Sequence, residues 1–132
     1  MGSGHLFVYG TLRRETGSEM HRFLARYSEF LGDATLQGKL YSVGSYPGLA
    51  ASDNRHDVVY GEVYKLRHPD FVLSLLDGYE ECGPRFPEPV FMRRKQSVKL
   101  NSGDVVSAWV YIFARPTQTL QIIQSGDFLR SS

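Results

Sequence analysis

The chain has 132 residues, 15 Lys+Arg against 14 Asp+Glu and a formal net charge of +1, with 42% hydrophobic and 13% aromatic residues. That length suits one domain with a sizeable core, and the apolar content excludes an intrinsically disordered chain. The near-neutral balance without a basic run argues against nucleic acid or an anionic membrane surface as the main partner, and the single Cys82 excludes an intramolecular disulfide and a cysteine-rich zinc site.

The apolar runs fall far short of the ~20 residues that span a bilayer, and no charged-then-apolar leader opens the chain. The expectation is a cytoplasmic protein with one domain over residues 5–132, residues 1–4 being set aside as a cloning remnant. His5 to Tyr9 (HLFVY) joins aromatic and β-branched residues in a run closed by Gly10, and reads as a buried strand. Gly10-Thr11 turns the chain. From Ser18 in the N-cap position, Met20, Phe23, Leu24 and Tyr27 recur at helical spacing, which predicts an amphipathic helix ending before Gly32.

Ala34 to Tyr41 reads as a strand, followed by a loop at Gly44-Ser45-Tyr46-Pro47-Gly48. Asp53 to Asp57 is a polar turn. Val58 to Leu66 (VVYGEVYKL) is a clear strand, and Gly61 within it marks a bulge or a close backbone approach. Pro69 starts a second helix with Asp70 in its first turn. Phe71, Val72, Leu75, Leu76 and Tyr79 form its apolar stripe, and it stops by Gly83-Pro84 in a proline-rich loop. Val90 to Leu100 and Val105 to Ala114 are strands joined by a hairpin at Asn101 to Asp104. The tail (TLQIIQSGDFLR) is a short helix or a docked strand. About six strands and two helices, with hairpins outnumbering βαβ crossovers, define an α+β class whose core is a curled or closed sheet with helices packed outside.

The chain has no G-x-G-x-x-G, no Walker loop and no G-x-S-x-G elbow, and its histidines (His5, His21, His56, His68) are scattered, so neither a cofactor nor a metal site is expected. Two segments carry the candidate chemistry. In the first, a buried strand breaks at Tyr9-Gly10-Thr11-Leu12. Such a turn aims successive N–H groups into one hollow, an anion- or oxyanion-binding arrangement, unless it is an ordinary strand-to-helix turn.

The second segment is the end of the second helix. At ~100° per residue, Glu80 falls between Leu76 and Leu73, while Ser74, Asp77 and Glu81 fall on the opposite, solvated face. Half-burial raises a carboxyl pKa and tunes it as a base near neutral pH; the alternative is a carboxylate that reaches water at a fraying helix end or pairs with an arginine. Cys82, without a sequence-near histidine, reads as a small buried hydrophobe. Glu62 reads as the outward residue of an alternating strand, or else it faces the same hollow as Glu80. Tyr79, Phe91 and Tyr111 read as core aromatics, a tyrosine tip at a pocket rim being the other reading.

FVYGTLR (7–13), SYPG (45–48), GEVY (61–64), LDGYEE (76–81) and SGDF (125–128) follow one another along the chain. In their order and spacing the chain resembles the γ-glutamylcyclotransferase-like (AIG2-like) family from about Phe7 to Phe128. LDGYEEC is similar to the γ-glutamylamine cyclotransferase branch. The resemblance implies a small mixed β-barrel of about six strands with flanking helices. It implies a lyase- or acyltransferase-type enzyme, without cofactor or metal, that releases 5-oxoproline from a small-molecule γ-glutamyl substrate. Glu80 would be the general acid/base. Tyr9, Gly10, Thr11 and Leu12 would line the γ-glutamyl pocket, with Tyr111 a further substrate-binding residue. The leaving group would lie over residues 46–48 and 83–89, and the protein would act as a monomer or homodimer. Glu81 stands where many members have Gly, and Phe91-Met92-Arg93 stands for a Tyr-x-Arg; both departures bear on substrate preference. The alternative function is a non-catalytic domain that keeps the pocket for another small ligand or partner.

Overall fold

Alternating β-branched and aromatic residues place most strands where the sequence predicts them. The computed structural model describes residues 4–80 and 89–130. Its order is β1 (His5–Val8), a 3₁₀ turn (Arg14–Thr16), α1 (Glu19–Arg26), β2 (Ser28–Gln37), β3 (Lys39–Val43) and β4 (Tyr46–Ala50). Then come β5 (Val58–Leu66), α2 (Pro69–Tyr79), β6 (Phe91–Leu100), β7 (Val105–Phe113), β8 (Gln121–Ile122) and a 3₁₀ turn at Phe128–Arg130. The expected Glu81, Cys82 and the loop over 83–88 lie outside the described residues.

The strands form one sheet in the order β1-β5-β2-β6-β7-β4-β3-β8, and β1 also pairs in parallel with β7, Leu6 opposite Trp109. This extra pairing closes β1, β5, β2, β6 and β7 into a mixed β-barrel, and β4, β3 and β8 continue the sheet beyond β7. The α+β class and the small mixed barrel are as expected. The strand count is not: among the described residues there are eight rather than about six.

Each difference has a local cause. The first helix ends at Arg26 and β2 starts at Ser28, well before Gly32, because a bulge between Phe30 and Gly32 lets the polar segment SEFLG stay paired with β5. The single strand expected over Ala34 to Tyr41 is two, interrupted at Gly38, where a Cβ would stand 3.0 Å from the Ala50 carbonyl oxygen. Tyr46-Pro47-Gly48, expected as loop, is the first half of β4: Pro47 lies opposite Ser42, and the turn is only Gly44-Ser45, with Gly44 at φ +69°. The tail is part strand and part 3₁₀ turn. Gly61 marks the close approach and not a bulge: its register with Ala34 is unbroken, and a Cβ there would meet the Val8 carbonyl oxygen at 2.2 Å.

Ser18 caps α1, its Oγ accepting from the His21 N–H at 3.0 Å, a bond of about 1 kcal/mol. On α2 the buried residues are Val72, Leu73 and Leu76, whereas Phe71, Leu75 and Tyr79 are about half exposed. The buried face is therefore rotated from the predicted stripe. Buried side chains form two groups. One joins Leu24, Val72, Leu73 and Leu76 of the helices to Leu6, Val8 and Tyr111. The other consists of strand residues with Tyr9, among them Phe7, Val63, Ala108 and Val110. β1 feeds alternate residues to the two groups, as the pleat requires. Among the described residues, no helix is long and apolar enough to cross a membrane.

Candidate active site

β1 runs into a turn that only a glycine fits undisturbed: a Cβ on Gly10 would lie 2.8 Å from Pro47 Cγ. The turn closes where the Arg13 N–H donates to the Gly10 carbonyl at 3.0 Å. The next carbonyls are also engaged. Thr11 O accepts from Thr16 Oγ1 at 2.7 Å and Ser18 Oγ at 2.6 Å, and His21 Nδ1 lies 2.8 Å from Leu12 O. The N–H groups of Gly10, Thr11 and Leu12 have no acceptor among the described residues. A turn whose carbonyls are consumed and whose donors are left over is a site for negative charge.

Those residues line a partly open cavity of about 290 Å³. Tyr9, Gly10, Thr11, Leu12, Glu80 and Tyr111, the six residues singled out from the sequence, all border it, joined by Tyr46, Tyr79 and Phe91. Glu80 stands just beyond the last residue of α2, where its N–H donates to Leu76 O at 2.8 Å. Burial pushes its carboxyl pKa from 4.5 up to about 7. The negative end of the helix dipole acts in the same direction. No cation or hydrogen-bond donor meets this carboxyl among the described residues.

Two tyrosines lie within the field of Glu80. The Tyr9 hydroxyl donates to Tyr111 O and accepts from the Leu49 N–H at 3.2 Å. Burial, and then the Glu80 charge, hold its pKa well above the ordinary phenol value. The Tyr111 hydroxyl donates to Asp77 Oδ1 at 2.7 Å, and its pKa is raised by burial first and by Asp77 next. Thr11 Oγ1 and the Tyr79 hydroxyl stand 3.4 Å apart and link the turn to the end of α2.

Three side chains stand elsewhere than their sequence pattern predicts. Asp77 is not on a solvated face: Arg93 donates to it through Nε at 2.8 Å and Nη2 at 3.0 Å, a bidentate pair with β6. Tyr79 is not a core aromatic but a cavity-lining residue, 46% exposed, whereas Phe91 and Tyr111 are buried and also border the cavity. Glu62 is neither outward nor cavity-lining; it is fully buried and accepts from Arg13 Nε at 3.2 Å, the Arg14 N–H at 3.0 Å and the Tyr64 hydroxyl at 2.9 Å. No local pattern in the sequence assigns a role to Arg13, Asp127 or Arg93. The one signal was opposite charges within FVYGTLR, GEVY and SGDF; Arg13 Nη1 also meets Asp127 Oδ1 at 2.8 Å. No cluster of three His, Cys, Asp or Glu suited to a metal occurs among the described residues.

Residues 6–130 match the family described as "Gamma-glutamyl cyclotransferase, AIG2-like". The chain is 33% identical over 125 residues to the "Gamma-glutamylcyclotransferase family protein YtfP" of Escherichia coli, covering 94% of this chain and 95% of the relative. It is 28% identical over 127 residues to the "Gamma-glutamylaminecyclotransferase" of Mus musculus, covering 83% and 78% respectively. Among solved structures it is similar to an AIG2-like protein of Mus musculus, with TM-score 0.70 and 25% identity over 92% of this chain and 86% of the other. It is also similar to the solution structure of Escherichia coli ytfP, with TM-score 0.62 and 32% identity over 96% of each chain.

Proposed function

The chain belongs to the γ-glutamyl cyclotransferase, AIG2-like family, and from that premise we propose that it releases 5-oxoproline from a γ-glutamyl amide with Glu80 as general acid/base. One observation carries this reading: a carboxyl with its pKa near 7 and no ionic partner among the described residues borders the same small cavity as a turn whose three N–H groups have no acceptor among those residues.

The reaction is an intramolecular acyl transfer. The substrate's α-amine nitrogen attacks its own γ-carbonyl carbon, the new C–N bond closes a five-membered ring, and the amide C–N bond breaks. With a reference pKa of roughly 8, the α-amine is mostly protonated at pH 7, so the attack needs a base. Glu80 accepts that proton and passes it to the departing amine nitrogen. The second proton, shed by the ring nitrogen once the new bond has formed, follows to the same nitrogen, so the amine leaves as an ammonium and Glu80 ends in its starting state. No covalent intermediate with the protein forms and no cofactor takes part. Holding the γ-glutamyl arm folded supplies the proximity, and the N–H groups of Gly10 to Leu12 hold the substrate carboxylate or the developing oxyanion. Tyr9 and Tyr111 shape the wall beside the ring. The reading takes residues 5–132 as one domain working in the cytoplasm, in keeping with a single cysteine.

The test is 5-oxoproline release, followed by mass spectrometry, from γ-glutamyl amino acids, γ-glutamyl-ε-lysine and glutathione, with Glu80→Gln beside the wild type. Product from wild type alone is the expected result and identifies the preferred leaving amine. Equal turnover by folded Glu80→Gln would remove Glu80 from the chemistry. Silence from folded wild type across the panel would leave a pocket that binds without cleaving.

A further inference from the structure

A second cluster of ionised groups lies away from the cavity, and the reaction makes no direct use of it. Glu62 is fully buried and Arg13 is 7% exposed, with Asp127 completing the chain of charges at 2.8 Å from Arg13 Nη1. Taking such groups out of water costs several kcal/mol per ion, so a buried ion pair is poorly explained as a stabiliser alone. Its geometry points to another role. Arg13 is the residue whose N–H closes the substrate-side turn on Gly10 O, and Glu62 grips the chain immediately after that turn at two successive residues, the Arg13 side chain and the Arg14 N–H. Asp127 holds the far nitrogen of the same guanidinium.

Asp127 is itself a fixed post. Its Oδ1 also accepts from the Leu129 N–H at 3.0 Å, and its own N–H donates to Ser125 Oγ at 3.2 Å. The preceding Gly126, at φ +69°, sits so close to β5 that a Cβ would lie 1.9 Å from Val58 O, and its carbonyl accepts from the Tyr60 N–H at 2.8 Å. Only glycine permits that approach, so the SGDF segment is locked onto the strand that also carries Glu62.

Resting on the function proposed above, we propose that Asp127 and Glu62 are positioning residues: through Arg13 they fix the Gly10–Leu12 turn and thereby set how well its N–H groups hold the negative charge of the substrate. Neither residue lines the cavity. Their influence is geometric, and small misplacements of binding groups are known to be costly to rate.

Asp127→Ala and Asp127→Asn separate this role from a merely structural one. The asparagine keeps an oxygen acceptor for Arg13 and Leu129. In Asp127→Ala, kcat/KM for 5-oxoproline release falls on the order of 100-fold, the inflection of the pH–rate profile stays where the wild type has it, and Asp127→Asn recovers most of the loss. Amide hydrogen exchange at Arg13, whose N–H closes the turn on Gly10 O, quickens in the alanine variant and not in the asparagine variant. Unchanged kcat/KM in folded Asp127→Ala would overturn the proposal, as would unaltered exchange at the turn, or a displaced inflection, which would place the effect on Glu80. Should wild type release no 5-oxoproline, the proposed function fails by itself, and turn exchange in the two variants alone decides the positioning role.

Discussion

Asp77 and Glu80 lie three residues apart at one end of α2, and their carboxyl groups are held in opposite ways. Asp77 takes a bidentate Arg93 and the Tyr111 hydroxyl, so all its charge is committed to joining the helix to β6 and β7. Glu80 has no such partner among the described residues, and burial raises its pKa to about 7. Two carboxyls with contrasting surroundings divide into an anchor and a titrating group, the separation that acid/base catalysis needs.

The pH dependence of Glu80 follows in sign from that rise. Folded Glu80 binds its proton more tightly than the unfolded chain does, so the stability contributed by protonated Glu80 is fully present below about pH 4.5 and is lost as pH rises to and through about 7. The loss is about 3 kcal/mol. Glu80→Gln escapes it, so urea unfolding shows similar stabilities near pH 4 and a variant more stable than wild type, by about 3 kcal/mol, at pH 8. In the proposed reaction the base form accepts the amine proton, so wild-type kcat is expected to rise with pH through an inflection near 7. Equal stabilities at pH 8 would mean that the carboxyl reaches water in the folded protein.

Breaking the buried charge cluster is costly from one side. Arg13→Ala leaves the fully buried Glu62 carboxylate with only the Arg14 N–H and Tyr64 hydroxyl, and is expected to lose about 3–5 kcal/mol. Combining Arg13→Met with Glu62→Gln removes both charges and is expected to cost clearly less than Arg13→Ala. Thermal unfolding of the two proteins checks the ordering. A double variant as unstable as Arg13→Ala would show that side-chain shape rather than charge pairing governs the site.

The sequence exposed the lining of the cavity better than its supports. Tyr9 to Leu12 could be read because a buried apolar run broken by glycine has few outcomes, and Glu80 because its azimuth lies between Leu76 and Leu73, both of them buried. Asp77 lies only about 40° beyond Leu73 on the same wheel. It was misplaced because Phe71, Leu75 and Tyr79 look like the inner stripe and are not. Glu62, Arg13 and Asp127 are 49 and 114 residues apart in their pairings, and no local pattern joins them. Pro47 and Gly48 read as loop because both residues favour turns; here Gly48 is in a strand, where a Cβ would stand 2.9 Å from the Phe113 ring.

Glycines separate steric necessity from backbone freedom. At Gly61 an alanine Cβ would stand 2.2 Å from the Val8 carbonyl oxygen, a backbone atom that cannot yield without parting β1 from β5. Gly61→Ala is expected to lose about 3 kcal/mol or more. At Gly17, φ is +66° with nothing within 4 Å, so Gly17→Ala meets only the left-handed backbone penalty, about 1–2 kcal/mol. Unfolding curves of the two variants are expected to differ visibly in midpoint, Gly61→Ala the lower.

The two cavity tyrosines are not equivalent when their hydroxyls are removed. Tyr9→Phe takes a hydrogen bond from two buried backbone groups at once, the Tyr111 carbonyl and the Leu49 N–H, and so removes a tie between β4 and the start of the Gly10–Leu12 turn. Each buried group left unsatisfied costs about 1–3 kcal/mol. Tyr111→Phe removes one donor from Asp77, but Arg93 still satisfies that carboxylate with two bonds, so the cost stays near 1 kcal/mol. Tyr9→Phe is therefore the more destabilised variant in urea. It is also expected to lose more activity, because the hydroxyl it lacks pins the residue immediately before Gly10. Equal destabilisation of the two would show that β4 and the turn hold their places without the Tyr9 hydroxyl.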